Sequence, residues 1–427
     1  MRSRTIIRGL VAAVVAAALC AAPAFGAAFG IFEQGSKAMG TAGAFTGRAD
    51  DGSAMFHNVG GLGFQKERSF MAGTTLISLA ESEFDGLDPF PGDSATGEQE
   101  THTFTPSHIY YVQPINDRLT FGLGVNNPFA LATDWGNKNE WPGRFLSIRA
   151  SLTTFDFNPS IGWQVTDNLS IGAGLIYRLS SVELLRRAPA VNPFTQQVTD
   201  VASVYLESDL DDGFGWNVGF LHKANKYFSW GISYRSKVEV DYAGDGRFTQ
   251  IETGFPQFDA AVAAGLPFDQ DLPIETSIEF PDMASLGFAL QVTQSATVLL
   301  DANWTGWSSF DSVFIDFTNA DQFDNRLNQD YDDAYNYRIG VELATSGGNF
   351  WRLGYVYDET PQPEKSVGPL LPDANRNGIT LGFGWGDRLD VAFMYLDFDD
   401  RTTTTNEDGF FGSYETTAYL LGLTLKL

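Results

Sequence analysis

The chain has 427 residues, a formal charge of −26, and 14% aromatic side chains. So acidic a protein will not hold DNA or RNA through phosphates, and so aromatic a one is not an acidic disordered chain. One cysteine, Cys20, leaves no disulfide framework.

The first 26 residues read as a secretory leader. Arg2, Arg4 and Arg8 form a basic start, Leu10 to Leu19 an apolar run, and Ala24-Phe25-Gly26 a small-residue cleavage site. Cleavage after Gly26 removes Cys20 and three positive charges, taking the formal charge to −29. No later stretch offers the ~18 consecutive apolar residues of a transmembrane helix.

Residues 27–66 do not alternate. They combine many glycines, from Gly30 to Gly63, with Phe29, Ile31, Phe32, Met39, Phe45, Met55 and Phe56. A solvated linker would seldom carry so many large apolar groups, so a compact plug is expected.

From residue 67 onward the pattern has a period of two, which puts apolar and polar side chains on opposite faces of a strand. Phe155, Phe157, Ile161 and Trp163 alternate with Asp156, Asn158, Ser160 and Gly162. Phe228 to Tyr234, then Val238, Val240 and Tyr242, oppose Ser229 to Arg235, Lys237, Glu239 and Asp241. Tyr335 to Leu343 and Tyr419 to Leu427 behave alike. Several such runs reach nine residues or more, enough to cross a bilayer when tilted. Fourteen strands are expected, near 70–80, 104–113, 118–126, 153–165, 168–184, 201–222, 227–242, 276–293, 296–305, 334–343, 350–357, 378–385, 388–398 and 415–427. Short joins alternate with long ones, as in an outer-membrane barrel with its short turns in the periplasm. The expected fold is therefore all-β: a 14-stranded antiparallel transmembrane barrel (67–427) behind a leader (1–26) and a luminal plug (27–66).

Several fragments together resemble the FadL/TodX family of outer-membrane transport proteins. They are Glu33-Gln34-Gly35, Met39 to Ala44, Ala49 to Ala54, Gly213 to Asn217, Tyr234 to Val238, Trp304 to Phe310, Tyr337 to Gly340, Arg352 to Tyr355, Thr360-Pro361 and Leu371-Pro372-Asp373. The resemblance implies a barrel with an N-terminal hatch, taking hydrophobic cargo from extracellular loops, holding it in the lumen and releasing it sideways through a kinked third strand. Long-chain fatty acids are the first expectation, small aromatic hydrocarbons or a general polar porin the alternatives. Where the family carries Asn-Pro-Ala facing the kink, this chain has Asn58-Val59-Gly60. The third strand offers Gly122, Gly124 and Asn126-Asn127-Pro128 as material for a kink.

Candidate capture residues are Phe129, Leu131, Trp135, Trp141 and Phe145 in one loop. A second loop offers Phe255, Phe258, Val262 and Leu266, partly at helical spacing. Alternation places Arg178, Arg235, Lys237, Arg338 and Arg352 inside, to meet a carboxylate or to pair with Asp156, Glu239, Asp241 and Glu342. The same phase places Phe350, Val356, Met394, Leu396 and Leu420 inside as an apolar wall. No catalytic constellation, cofactor or metal site is expected. Asp373-Ala374-Asn375-Arg376-Asn377-Gly378 copies the start of a calcium loop but has Gly384 at position twelve. Expected partners are hydrophobic cargo, outer-membrane lipid and lipopolysaccharide, and the barrel assembly machinery, with no nucleic acid and a monomeric state.

Overall fold

The computed structural model describes residues 28–100 and 103–427, so the expected leader, with Cys20, lies outside the described residues. Fourteen antiparallel strands form the wall. They are β1 Ser69–Gly86, β2 Ser107–Pro114, β3 Leu119–Asn126, β4 Arg149–Thr166, β5 Leu169–Val191, β6 Asp211–Asn225 and β7 Phe228–Arg235. The rest are β8 Met283–Gln291, β9 Ala296–Thr305, β10 Ala334–Ala344, β11 Phe350–Asp358, β12 Arg376–Trp385, β13 Leu389–Phe398 and β14 Gly412–Lys426. Each pairs with its neighbours in the chain. The last strand returns to the first in a ladder from Met71↔Lys426 to Gly86↔Gly412, which closes the barrel. Closure satisfies the backbone groups that hydrocarbon could not.

Alternation sorts the faces as the sequence implies over most of the wall. Phe155, Phe157, Ile161, Trp163, Tyr335, Tyr337, Leu421 and Leu423 are exposed on the outside. Asp156, Asn158, Ser160, Asn336, Arg338 and Thr424 are buried within.

Three adjacent ribbons break the rule. Segment Val198–Ser208 continues into β6, Val238–Gln250 continues β7, and Asp271–Phe280 leads into β8. The ladders keep one register across the interruptions: Arg235↔Met283 is followed by Val238↔Phe280, and Asn217↔Arg235 by Ser208↔Gly244. Yet Arg235 and Val238 are both buried inside although three residues apart. The chain thus changes face at Asp209-Leu210, Ser236-Lys237 and Pro281-Asp282, a crease running across three strands. Pro281 has no N–H for a ladder, and an interruption shared by all three ribbons leaves their mutual register intact while exchanging their two faces. Val238, Val240 and Tyr242, expected outside, therefore line the interior. Lys237 and Glu239, expected inside, are exposed, and so is Asp241. Lys237 instead pairs with Glu279 at 2.7 Å on the outer surface.

The third strand breaks where Asn127-Pro128 falls. Asn126 pairs with Asp156, and the next segment, Ala130–Asp134, resumes at Ala130↔Thr153. Four steps on one side oppose three on the other, a bulge. Pro128 cannot donate to β4, and the Thr154 side chain patches the gap by accepting from Phe129 N (3.1 Å) and donating to Phe129 O (2.6 Å).

Residues 28–66 fold inside the barrel as short turns: α1 Ser36–Met39, α2 Ala54–His57 and a 3-10 turn Val59–Phe64. Phe29, Ile31, Met39, Phe45, Met55 and Phe56 are all buried. Glycine lets this hatch lie directly on the wall. A Cβ at Gly47 would stand 2.6 Å from the Phe288 amide nitrogen, and one at Gly40 would stand 3.1 Å from Gly382 Cα.

Candidate functional site

The lumen has a polar lower storey toward the short turns. At its base Arg48 bridges the hatch to Glu342 (2.8 Å) and Asp50 (2.9 Å), Lys37 joins Asp50, and Arg352 pairs with Glu342 (2.7 Å) and Asp390. Higher up, Asp156 takes a two-pronged contact from Arg178 (2.7 and 2.9 Å) and a third bond from Arg235 (3.1 Å), with its side chain at 0% exposure. Arg235 also reaches Met55 O, and Arg338 donates to Ala42 O at 2.8 Å. Asp301 accepts from the amides of Phe45 and Thr46. Arg178, Arg235, Arg338 and Arg352 thus face inward, and each is spoken for by the wall or the hatch. Breaking such a buried pair by removing one partner costs about 3–5 kcal/mol.

The predicted gate residues belong to this storey too. Asn58 Nδ2 donates to Thr46 O (2.8 Å) and Phe220 O (3.0 Å), and Asn58 Oδ1 accepts from Gly60 N (3.0 Å). Val59 O and Gly60 lie over Gly172 and Gly219, so Asn58-Val59-Gly60 faces β5 and β6 and not the break in the third strand. Gly122 and Gly124 sit in a regular, fully paired stretch of β3. They give clearance to Met55 and Tyr110, and the bend comes after them. The hatch segment that meets the break is instead Phe29 to Ile31. Ile31 N donates to Pro128 O (2.8 Å), and Ala130 N to Phe29 O (3.0 Å).

The upper storey is apolar. Arg178 caps the lower one, its guanidinium 4.8 Å from the Phe129 ring and 4.6 Å from that of Phe280. Above it Phe29, Phe129, Phe280 and Trp307 pack edge to face or tilted, with Val238, Val240 and Tyr242 from beyond the crease. Phe129 is therefore an interior residue, 2% exposed, and not part of a solvent-facing loop. Its Pro128-led bend turns it inward. Burial holds the nearby Tyr331 phenol well above its usual value, so it stays neutral.

Two apolar cavities adjoin this cluster. The outer one, about 120 Å³, is lined by Leu131, Leu184, Leu206, Ile274, Ile315 and Leu370 among others. The inner one, about 180 Å³, lies behind the third-strand break against Phe29, Ile31, Ile77, Phe104, Leu371, Leu396, Ala418 and Leu420. Leu131 lines both. Val356 and Met394 join Leu420 in the wall beneath, packed on Met39 and Ala42 of the hatch. Phe350 faces the same way but stands apart from that wall, with the Arg352 guanidinium over its ring.

Of the expected capture residues, Trp135 and Trp141 stack 4.2 Å apart within an aromatic cluster. They flank an open cleft of about 650 Å³. Trp135 Nε1 ties this lid to Pro369 O at 2.8 Å. The helical spacing of the other loop becomes α3, Pro256–Gly265. Phe258 is buried, Val262 and Leu266 are half-buried, and Phe255 stacks on Phe194.

Sequence reasoning missed Arg376, which lines the inner cavity and binds Asp373 (2.6 Å) and Ala28 O. It stands just ahead of the expected strand at 378 and shares the inward phase of Gly378 and Thr380, which is the signal that could have found it. Asp373, in the calcium-like stretch, is 1% exposed and accepts from Ala28 N at 3.0 Å. Among the described residues no cluster suited to a metal ion occurs.

The family profile for the outer membrane protein transport proteins (OMPP1/FadL/TodX) matches residues 17–427. The chain belongs to this family. A long-chain fatty acid transport protein of Escherichia coli O6:H1 is 24% identical, covering 93% of this chain and 94% of that one. Outer membrane protein P1 of Haemophilus influenzae is also 24% identical, over 80% and 79%. The crystal structure of a Pseudomonas aeruginosa FadL homologue superposes with a TM-score of 0.82 at 19% identity, covering 94% and 99%. The Pseudomonas putida toluene transporter TodX gives 0.67 at 15%, covering 92% and 97%. The FadL/TodX chain described here is accordingly an outer-membrane transport β-barrel.

Proposed function

We propose that this barrel carries hydrophobic molecules, long-chain fatty acids before others, inward across the outer membrane. Cargo is gathered at the loops around Trp135 and Trp141, passes the outer apolar cavity, and settles in the inner one. It leaves sideways at the break in the third strand. The observation that carries this reading is the inner cavity itself: a largely apolar chamber above a polar storey, backing onto the bulge that interrupts the third strand. An alkyl chain gains from such a chamber in proportion to the apolar surface it hides from water. The lipid-facing belt sits in outer-membrane lipid ringed by lipopolysaccharide, reached through the barrel assembly machinery, and the protein works as a monomer.

A second cargo, small aromatic hydrocarbons, is favoured by the ring cluster of Phe29, Phe129, Phe280 and Trp307 above the cavity. The test is uptake by a host deleted for its own receptor, supplied with oleate or with toluene. Restored growth on oleate supports the first reading. Toluene uptake alone moves the assignment to the second, and neither overturns both.

A further inference from the structure

The inner cavity is apolar along its length, but its polar lining is unequal in charge. Asp373 contributes a carboxylate already engaged by Arg376, Thr360 and Ala28 N. Arg376 is likewise committed, to Asp373 and Ala28 O. Glu33 lines the same cavity and lies near enough to Arg376 and Asp358 to act on both electrostatically. Its carboxylate is in no ion pair or hydrogen bond among the described residues; only its backbone oxygen accepts, from Thr75. The lining therefore carries two carboxylates against one guanidinium. Arg178, Arg235 and Arg352 are paired with carboxylates beneath the aromatic cluster, Arg338 is held by Ala42 O, and Arg401, near Asp373 but outside the lining, donates to Gln362 O.

We infer that Glu33 is a specificity-determining residue: its free carboxylate makes the inner cavity favour cargo whose polar end is uncharged, and able to donate a hydrogen bond, over cargo ending in an anion. A fatty acid accordingly lodges there in its protonated form, donating its O–H to Glu33, and an alcohol of the same length donates its own O–H to the same group without first having to take up a proton. Two like charges a few ångströms apart in a half-buried site repel strongly, whereas a hydroxyl donating to a carboxylate makes a charge-assisted bond. The inference rests on the cavity being the cargo site proposed above.

The test compares dodecanol with dodecanesulfonate, which stays ionised at every working pH. Saturable binding is measured to the full mature protein in lipid nanodiscs, with empty discs subtracted. Wild type should prefer the alcohol by about tenfold or more. Glu33→Gln should tighten sulfonate binding about tenfold and leave the alcohol within about twofold. Glu33→Asp, which keeps the charge, should keep the preference, and both variants should show the heat-dependent gel shift of a folded barrel. An unchanged ratio in a folded Glu33→Gln protein, or a wild type that prefers the sulfonate, overturns the inference while leaving the cavity as a cargo site. Failure of both ligands to bind wild type saturably overturns the cargo reading, and this one with it.

Discussion

The lower and upper storeys of the lumen are built from the same strands and do opposite things. Below, every inward arginine named here has a carboxylate or a hatch carbonyl within hydrogen-bond reach, and glycine backbone rests on glycine backbone. Above, the inward residues are mostly aromatic and aliphatic, with Glu33, Asp373 and Arg376 as the charged exceptions, and two cavities remain between them. A water-filled channel would need a continuous polar path, and an oily pocket a continuous apolar one. Stacking one on the other gives a chamber above a polar floor, the arrangement on which the proposed exit at the third-strand bulge rests. The crease at Ser236-Lys237 and its neighbours is what converts lipid-facing alternation into chamber-lining alternation on three strands at once.

The sharpest way to break this division is to remove the floor. A mature chain lacking residues 27–66 should still form a barrel but conduct small ions steadily in planar bilayers, where the intact protein conducts almost none; a truncated barrel that stays closed would show that the hatch is not the seal. Next in size is Asp156→Ala, which strands Arg178 and Arg235 in the interior. A loss of about 3–5 kcal/mol is expected, read as a lowered thermal midpoint for the folded gel form, with Asp156→Asn recovering part of it. An effect under about 1 kcal/mol would mean that water already screens this pair.

The upper storey should respond through transport and not through stability. Leu131→Trp fills the boundary between the two cavities, so uptake should slow several-fold while the thermal midpoint stays put. Unaltered uptake would place the route elsewhere. Smallest of all should be Lys237→Ala, an exposed partner of Glu279. Its stability change should stay within about 0.5 kcal/mol, against several for Arg235→Ala two residues earlier. Equal effects from the two would contradict the crease.

Much of the wall was legible because alternation is local. The expected strands at 296–305, 334–343 and 350–357 match Ala296–Thr305, Ala334–Ala344 and Phe350–Asp358 closely. The inward phase of Val356, Met394, Leu396 and Leu420 was also readable, since no interruption falls within those strands. The site was less so. Phe129 looked like a loop aromatic because nothing in its neighbours says that Thr154 will hold it against the wall. Asn58-Val59-Gly60 was matched to a kink that it does not touch, because its contacts lie more than a hundred and fifty residues away in the chain, at Phe220.

Composition and period-two patterning by themselves determined a closed membrane barrel with something compact inside it, because burial against lipid acts on every strand residue independently. Tertiary structure alone decided which face the residues beyond Lys237 would take, which arginines would be neutralised, and that Glu33 and Arg376 would share one chamber. Those outcomes depend on strands meeting across the barrel, and a two-residue interruption that barely disturbs the sequence pattern is enough to exchange inside for outside.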